Sequence, residues 1–164
     1  MIEFKKLKEN DLPSINNMSK VATTILRDYY DKIVGVKQND YMLNKFQSVS
    51  SIERQLEDGY QYYFIVNDNV ILGFTAFYYK KDYLYLSKLY LYKEHRGKGY
   101  LKEILSFLKE KARINNLKMI KLNVNKYNPT INIYEAVGFK RIKAECNDIG
   151  SGYYMDDYVY CLEI

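Results

Sequence analysis

A chain of 164 residues with 48% hydrophobic and 27% charged side chains can bury one sizeable core and is too apolar to remain disordered. Its formal charge of +5 favours anionic ligands, but the cations are scattered along the chain, which argues against a dedicated nucleic-acid binder. Two cysteines and one histidine exclude a disulfide framework and a Cys/His zinc site, and no run resembles a signal peptide or a membrane span, so a cytoplasmic protein without metal is expected.

Residues 2–7, IEFKKL, read as a short strand. From Asp11 to about Asp31 the residues Leu12, Ile15, Met18, Val21 and Ile25 recur at helical spacing. A second helix is expected from about Asp40 to Glu57, with Ser48–Ser51 as the place where it could break, and the Gly35 region between the two as a loop. The period then changes: YYFIVN, VILGFTAFYYK and YLYLSKLYLY are β-branched or aromatic runs separated by Asp68-Asn69 and Lys81-Asp82, an antiparallel meander. Beyond it, Leu101, Ile104, Leu105, Leu108 and Ala112 form one apolar helical stripe, and KMIKLNV at 118–124 reads as a strand. Asn128-Pro129 opens a short helix, 129–137, that Gly138 ends. FKRIKAEC and YYMDDYVYCLEI then form two strands joined through residues 148–152. The order is β-α-α-β-β-β-α-β-α-β-β, a single α+β domain over 1–164 with a mixed, mostly antiparallel sheet of about seven strands and four helices.

The junction between the meander and the striped helix reads HRGKGYLKEIL, from His95 to Leu105. The first N–H groups of a helix lack intrahelical partners, and the helix dipole adds partial positive charge there. Gly97 and Gly99 allow a tight turn and close approach of backbone to a ligand, while Arg96, Lys98 and Lys102 add formal charge. A diphosphate-like group fits this description, although two glycines and solvated cations could also serve as a plain connection. The letters match neither the P-loop nor the dinucleotide fingerprint.

The segment Arg96-Gly97-Lys98-Gly99-Tyr100-Leu101 resembles the coenzyme A turn of the GNAT superfamily of N-acetyltransferases, Arg/Gln-x-x-Gly-x-Gly/Ala, in all but its last place, where Leu101 replaces a small residue. Lys93 stands where many relatives carry proline. Downstream, the strand ending in Leu122-Asn123-Val124, then Asn128, Tyr134 and Gly138-Phe139, is similar to a second module of that superfamily with its usual spacing. The element order agrees, so the resemblance extends over essentially the whole chain.

The resemblance implies an acetyl-CoA-dependent N-acetyltransferase acting by direct attack of an uncharged amine on the thioester. It assigns the backbone of Leu89 and Leu91 to the pantetheine arm, and Arg96, Gly97, Lys98, Gly99, Tyr100, Leu101 and Lys102 to the pyrophosphate turn. Asn128 is implied as a coenzyme contact besides its N-cap role, Tyr134 as proton donor to the departing thiolate, and the N–H of Leu91 or a neighbour as support for the oxyanion. Many relatives place a glutamate near the fourth strand, but Tyr83–Lys93 holds no carboxylate, only Ser87, Lys88, leucines and tyrosines.

Asp156 and Asp157 are candidates to meet a cationic acceptor, because adjacent strand residues project to opposite faces; the alternative is an edge strand kept soluble by charge. Tyr30, with Tyr29 and Tyr41, is a candidate to line the acceptor pocket, or to pack the helices. Cys161, between tyrosine and leucine, reads as a small core residue, and His95, beside the turn, as a loop histidine. The expected partner is a primary amine, on a small molecule or a peptide, with no nucleic acid and no membrane, and the chain as monomer or homodimer. The missing strand-four carboxylate motivates an alternative, a non-catalytic acyl-CoA-binding or regulatory module of the same fold.

Overall fold

The structure, a computed structural model, describes every residue from Met1 to Ile164. Each alternating aromatic or β-branched run forms a strand: β1 (Glu3–Lys6), β2 (Gln61–Asn67), β3 (Val70–Tyr79), β4 (Leu84–Leu91), β5 (Met119–Asn125), β6 (Lys140–Gly150) and β7 (Tyr153–Glu163). They make one sheet in the order β1-β2-β3-β4-β5-β7-β6. The helices are α1 (Leu12–Val34), α2 (Val36–Gln47), α3 (Val49–Glu57), α4 (Tyr100–Ile114) and α5 (Thr130–Ala136).

The sheet divides the apolar residues into two cores. On one face Ile15, Met18 and Ile25 of α1 and Ile52 of α3 pack with Tyr62, Phe64 and Phe74. On the other, the α4 stripe of Ile104, Leu105, Leu108 and Ala112 packs with Phe77, Leu84, Leu86 and Ile120. A fully buried Leu, Ile or Phe contributes roughly 1.5–3 kcal/mol, so the two faces hold the sheet between helices from both sides.

The helix expected over 40–57 is two helices, giving five in all. Ser48 breaks it by adopting an extended conformation (ψ 159°) and capping α3, its Oγ accepting from the Ser51 N–H at 3.3 Å. Between α1 and α2 the expected loop shrinks to Gly35 alone, at φ 88°. The sixth strand runs further than expected, to Gly150, while β7 keeps the expected extent. Because β7 lies between β5 and β6, it is an inner strand, and the edge-strand reading of Asp156 and Asp157 is overturned.

Three irregularities position the site. First, β4 and β5 are the only parallel pair, and they pair only at Leu84–Leu86 against Ile120–Leu122 before diverging. Second, Ala76 pairs with Lys88 while Phe77 pairs with Leu86, so Ser87 is the extra residue of a bulge in β4. Third, a Cβ on Gly73 would lie 2.1 Å from the Tyr90 carbonyl oxygen and 2.8 Å from the Leu91 Cα, so only glycine lets β3 approach the end of β4 this closely.

Candidate active site

β4 ends in a 3₁₀ turn at Lys93–His95, and the chain then passes through Gly97 (φ 71°) and Gly99 (φ 83°) into α4. Gly99 is the helix N-cap in the left-handed region, where a side chain is strained, and no side chain caps the helix. The first N–H groups of α4, from Tyr100 through Lys102, therefore face outward unpaired, with Lys98 and Lys102 exposed beside them. Leu101 is half-buried against the α4-side core, so its side chain joins the stripe.

Arg96 does not add free charge to this turn. Its Nη2 donates to Asp28 Oδ2 at 2.8 Å, its Nε to the Leu91 carbonyl at 3.0 Å, and its guanidinium stacks 3.9 Å from the centre of the Tyr29 ring. The expected phosphate cation is an anchor that ties the turn to α1, and Tyr29 belongs to that anchor, outside the pocket lining. Tyr100 likewise turns its hydroxyl inward, to Asn67 Nδ2 at 3.5 Å.

The register of β4 fixes where its backbone groups point. The Tyr92 N–H donates to the Leu72 carbonyl, and in an antiparallel pair hydrogen-bonded and non-bonded positions alternate. Leu89 and Leu91, opposite Thr75 and Gly73, are thus non-bonded positions whose N–H and C=O point away from β3, into the gap left by β5. Arg96 takes the Leu91 carbonyl, and the N–H groups of Leu89 and Leu91 stay available to an extended ligand.

At the far side of the gap, Asn128 is buried and its Oδ1 accepts from the Thr130 N–H at 3.0 Å, the expected cap of α5, with Pro129 already helical at φ −64° and ψ −14°. Its Nδ2 donates to the Tyr30 hydroxyl at 3.3 Å, and Tyr30 shares a 2.8 Å hydrogen bond with Tyr90. The cap residue of α5 thereby fastens α1 and β4 together. Tyr134, on α5, packs edge-on to Phe139 at 5.4 Å. Burial raises its phenol above the usual range, reinforced by the nearby hydroxyls of Tyr30 and Tyr29, so it stays protonated at neutral pH.

On the α1–α3 face of β4 lies a cavity of about 270 Å³. Tyr30 lines it, together with Phe46, Tyr78, Tyr85, Lys88 and Asp157. Adjacent strand residues part here: Asp157 is buried, 3% exposed, whereas Asp156 turns to the opposite face and pairs with Lys126 at 2.8 Å. Asp156 is therefore removed from the candidate acceptor residues. Burial pushes the Asp157 carboxyl up to about 6, with Asn123 and the Lys88 ammonium opposing the shift. Burial also brings the Lys88 ammonium down to about 8, and Asp157 resists that. Tyr41 closes the cavity indirectly: its hydroxyl donates to the Ile149 carbonyl at 2.6 Å, and Gln38 Nε2 donates to the Tyr154 carbonyl at 2.7 Å, so α2 holds down the β6–β7 hairpin tip.

Residues 19–154 match the family model described as an acetyltransferase (GNAT) domain. The chain belongs to the GNAT acetyltransferases. Solved GNAT structures agree in fold: a PaiA N-acetyltransferase from Thermoplasma acidophilum in complex with coenzyme A superposes with TM-score 0.80 at 18% identity, covering 100% of this chain and 99% of that one. A GCN5-related N-acetyltransferase from Rhodopseudomonas palustris gives 0.79 at 9% identity over 99% and 95% of the two chains. The ribosomal-protein-S18-alanine N-acetyltransferase from Escherichia coli gives 0.67 at 16% identity over 100% and 94%. No curated protein sequence matches the chain.

Within this GNAT acetyltransferase, Lys88 escapes a sequence reading that looks to strand four for a carboxylate. The available signal is the lysine itself, set between apolar residues in YLYLSKLYLY. That it faces the α1–α3 side beside Tyr90 follows from the bulge at Ser87, which no spacing rule anticipates. Among the chain's helices none is long and apolar enough to cross a membrane.

Proposed function

We propose that this acetyltransferase transfers the acetyl group of acetyl-CoA to the nitrogen of a primary amine, by direct attack and as a cytoplasmic enzyme. One observation carries the reading: β4 presents an unpaired backbone edge leading to the uncapped start of α4, and its side chains face a cavity containing a buried carboxylate. The residues fit the coenzyme, since Leu89 and Leu91 offer outward backbone groups and the Gly97–Lys102 turn offers N–H groups and two cations.

The coenzyme supplies an acyl thioester. Asp157, ionised above its raised pKa of about 6, attracts an ammonium and accepts its proton, directly or through water, leaving the amine its lone pair. The carbon–nitrogen bond forms as the carbon–sulfur bond breaks; the Leu91 N–H steadies the charge that develops on the acyl oxygen, and Tyr134 gives its proton to the leaving sulfur. Asp157 supplies the carboxylate whose absence from β4 motivates a non-catalytic reading.

Calorimetric titration with acetyl-CoA and thiol release with a panel of primary amines test the proposal. Binding without release from any amine returns the chain to a coenzyme-binding module, and neither binding nor release removes the reading altogether. Tyr134→Phe is expected to lower turnover roughly 10²-fold with coenzyme affinity unchanged within about twofold. Equal losses in both would assign Tyr134 to binding.

A further inference from the structure

The acceptor cavity contains two opposite charges that do not satisfy each other. The chain's five ion pairs are Arg27 with Asp31 and with Asp40, Arg96 with Asp28, Lys126 with Asp156, and Lys143 with Glu145. Lys88 and Asp157 are in none of them, so their charged atoms are more than 4.0 Å apart, although each perturbs the other's titration across the cavity. The Lys88 ammonium lies 5.9 Å from the centre of the Phe46 ring and is in none of the chain's ion pairs. Asp157 is buried and Lys88 half-buried, and charges drawn from water and held apart cost stability unless something else completes them.

The other groups that face this pair are neutral: tyrosines 30, 78, 85 and 90, and amides such as Asn123, whose Oδ1 accepts from the Tyr85 hydroxyl at 2.8 Å. Glu145, on the outer strand, accepts from Asn123 Nδ2 at 3.1 Å and pairs with Lys143 at 2.9 Å; it and Asp156 lie outside the cavity lining, from where both add to the upward shift of the Asp157 carboxyl. The cavity thus presents one anion, one cation and an aromatic wall. A ligand carrying only an ammonium completes Asp157 and leaves Lys88 unpaired, and a diamine brings its second positive charge against Lys88.

We propose that the acceptor is a zwitterion, a free amino acid with an aromatic side chain: its ammonium meets Asp157, its carboxylate meets Lys88, and its ring lies on the tyrosine wall. This rests on the N-acetyltransferase reading and narrows it. The anion on the ligand is what selects it, because a site built around a charged group rejects analogues that leave that group unpaired.

The test pairs phenylalanine, tyrosine and tryptophan with phenethylamine, tyramine and tryptamine, and adds 1,4-diaminobutane, each assayed by thiol release from acetyl-CoA. At least one amino acid is expected to exceed its decarboxylated partner, and the diamine, by roughly 30-fold or more in kcat/KM. In Lys88→Met that advantage should fall to about threefold or less, through a lower kcat/KM for the amino acid relative to its decarboxylated partner in the same variant. Equal or better use of the simple amines or of the diamine by the wild type, or a preference that survives Lys88→Met, overturns the proposal. So does the absence of saturable amino-acid binding, by calorimetry, to protein already loaded with coenzyme A. Those results leave the N-acetyltransferase reading standing, whereas failure to bind acetyl-CoA removes both.

Discussion

On its free edge, β4 offers a ligand main-chain groups: N–H groups aimed by strand register and, beyond Gly99, N–H groups aimed by a helix start. On its α1–α3 face it offers side chains gathered from α1, α2, β3, β4, β5 and β7, including a carboxylate and an ammonium that burial disfavours. The edge is a low-cost site, because unpaired donors at a strand edge or a helix end are in contact with water until a ligand arrives. The face is a costly one, because its charges are desolvated in the folded chain. Function at the edge should therefore be hard to trade for stability, and function at the face easy.

The sharpest way to break that contrast is Asp157→Asn. Acetylation of a cationic amine is expected to fall roughly 10²-fold or more, with coenzyme affinity unchanged. The same variant should be more stable at neutral pH. The folded carboxyl sits at about 6 against an ordinary 3.8, so between those values the folded state binds more protons than the unfolded one. Stability from this group is then greatest below about pH 4, falls as pH rises through 6, and is lowest above it. The difference is on the order of 3 kcal/mol at pH 7.5. Urea unfolding at pH 4.5 and pH 7.5 checks it: the wild type should lose about 2 kcal/mol of this between the two, because the unfolded carboxyl is already mostly ionised at pH 4.5, and Asp157→Asn should lack the loss; a variant less stable at pH 7.5 would mean that the carboxylate is held by contacts that favour its charge.

A smaller effect is expected at the edge. A side chain at Gly99 would enter open space, with nothing within 4 Å of its Cβ, so Gly99→Ala adds only the strain of a left-handed backbone, about 1–2 kcal/mol. If the turn relaxes to escape that strain, the α4 donors shift. Coenzyme affinity should drop about 5- to 20-fold while the acceptor KM measured at saturating coenzyme stays put. A change in the acceptor KM alone would place the turn on the wrong side of β4.

The contrast also explains what can be read in the sequence. The edge is legible because local rules govern it: a strand period of two, glycines at a helix start, Asn128-Pro129 at the next cap, and the apolar stripe behind Leu101. The family of the chain and the sheet content follow from the same local signals. The face is not legible, because residues 60 or more positions apart meet there, as Tyr30 and Tyr90 do. Nothing near Asp157 in YYMDDY distinguishes it from Asp156; the distinction is made by β7 lying inside the sheet, with one of its faces toward α2. Ser48 is readable as a break but not as a cap until its neighbours turn, and Arg96 reads as a phosphate ligand because its acceptor, Asp28, is 68 residues away.

Arg96 supplies the finest test, because it lies beside the edge site yet is bound like a structural residue. Its guanidinium is shared among Asp28, the Leu91 carbonyl and the Tyr29 face, so its charge is already countered. Arg96→Met should therefore cost about 1–2 kcal/mol of unfolding free energy, the sum of a half-exposed ion pair, a hydrogen bond and a cation–π contact. The salt dependence of coenzyme binding should barely change. Lys98→Ala should do the reverse, leaving unfolding alone and flattening the salt dependence, because its exposed ammonium is free to face an anion. Were both variants to flatten it equally, Arg96 would have to leave Asp28 when the coenzyme binds, and the edge site would then be assembled by its ligand instead of standing ready for it.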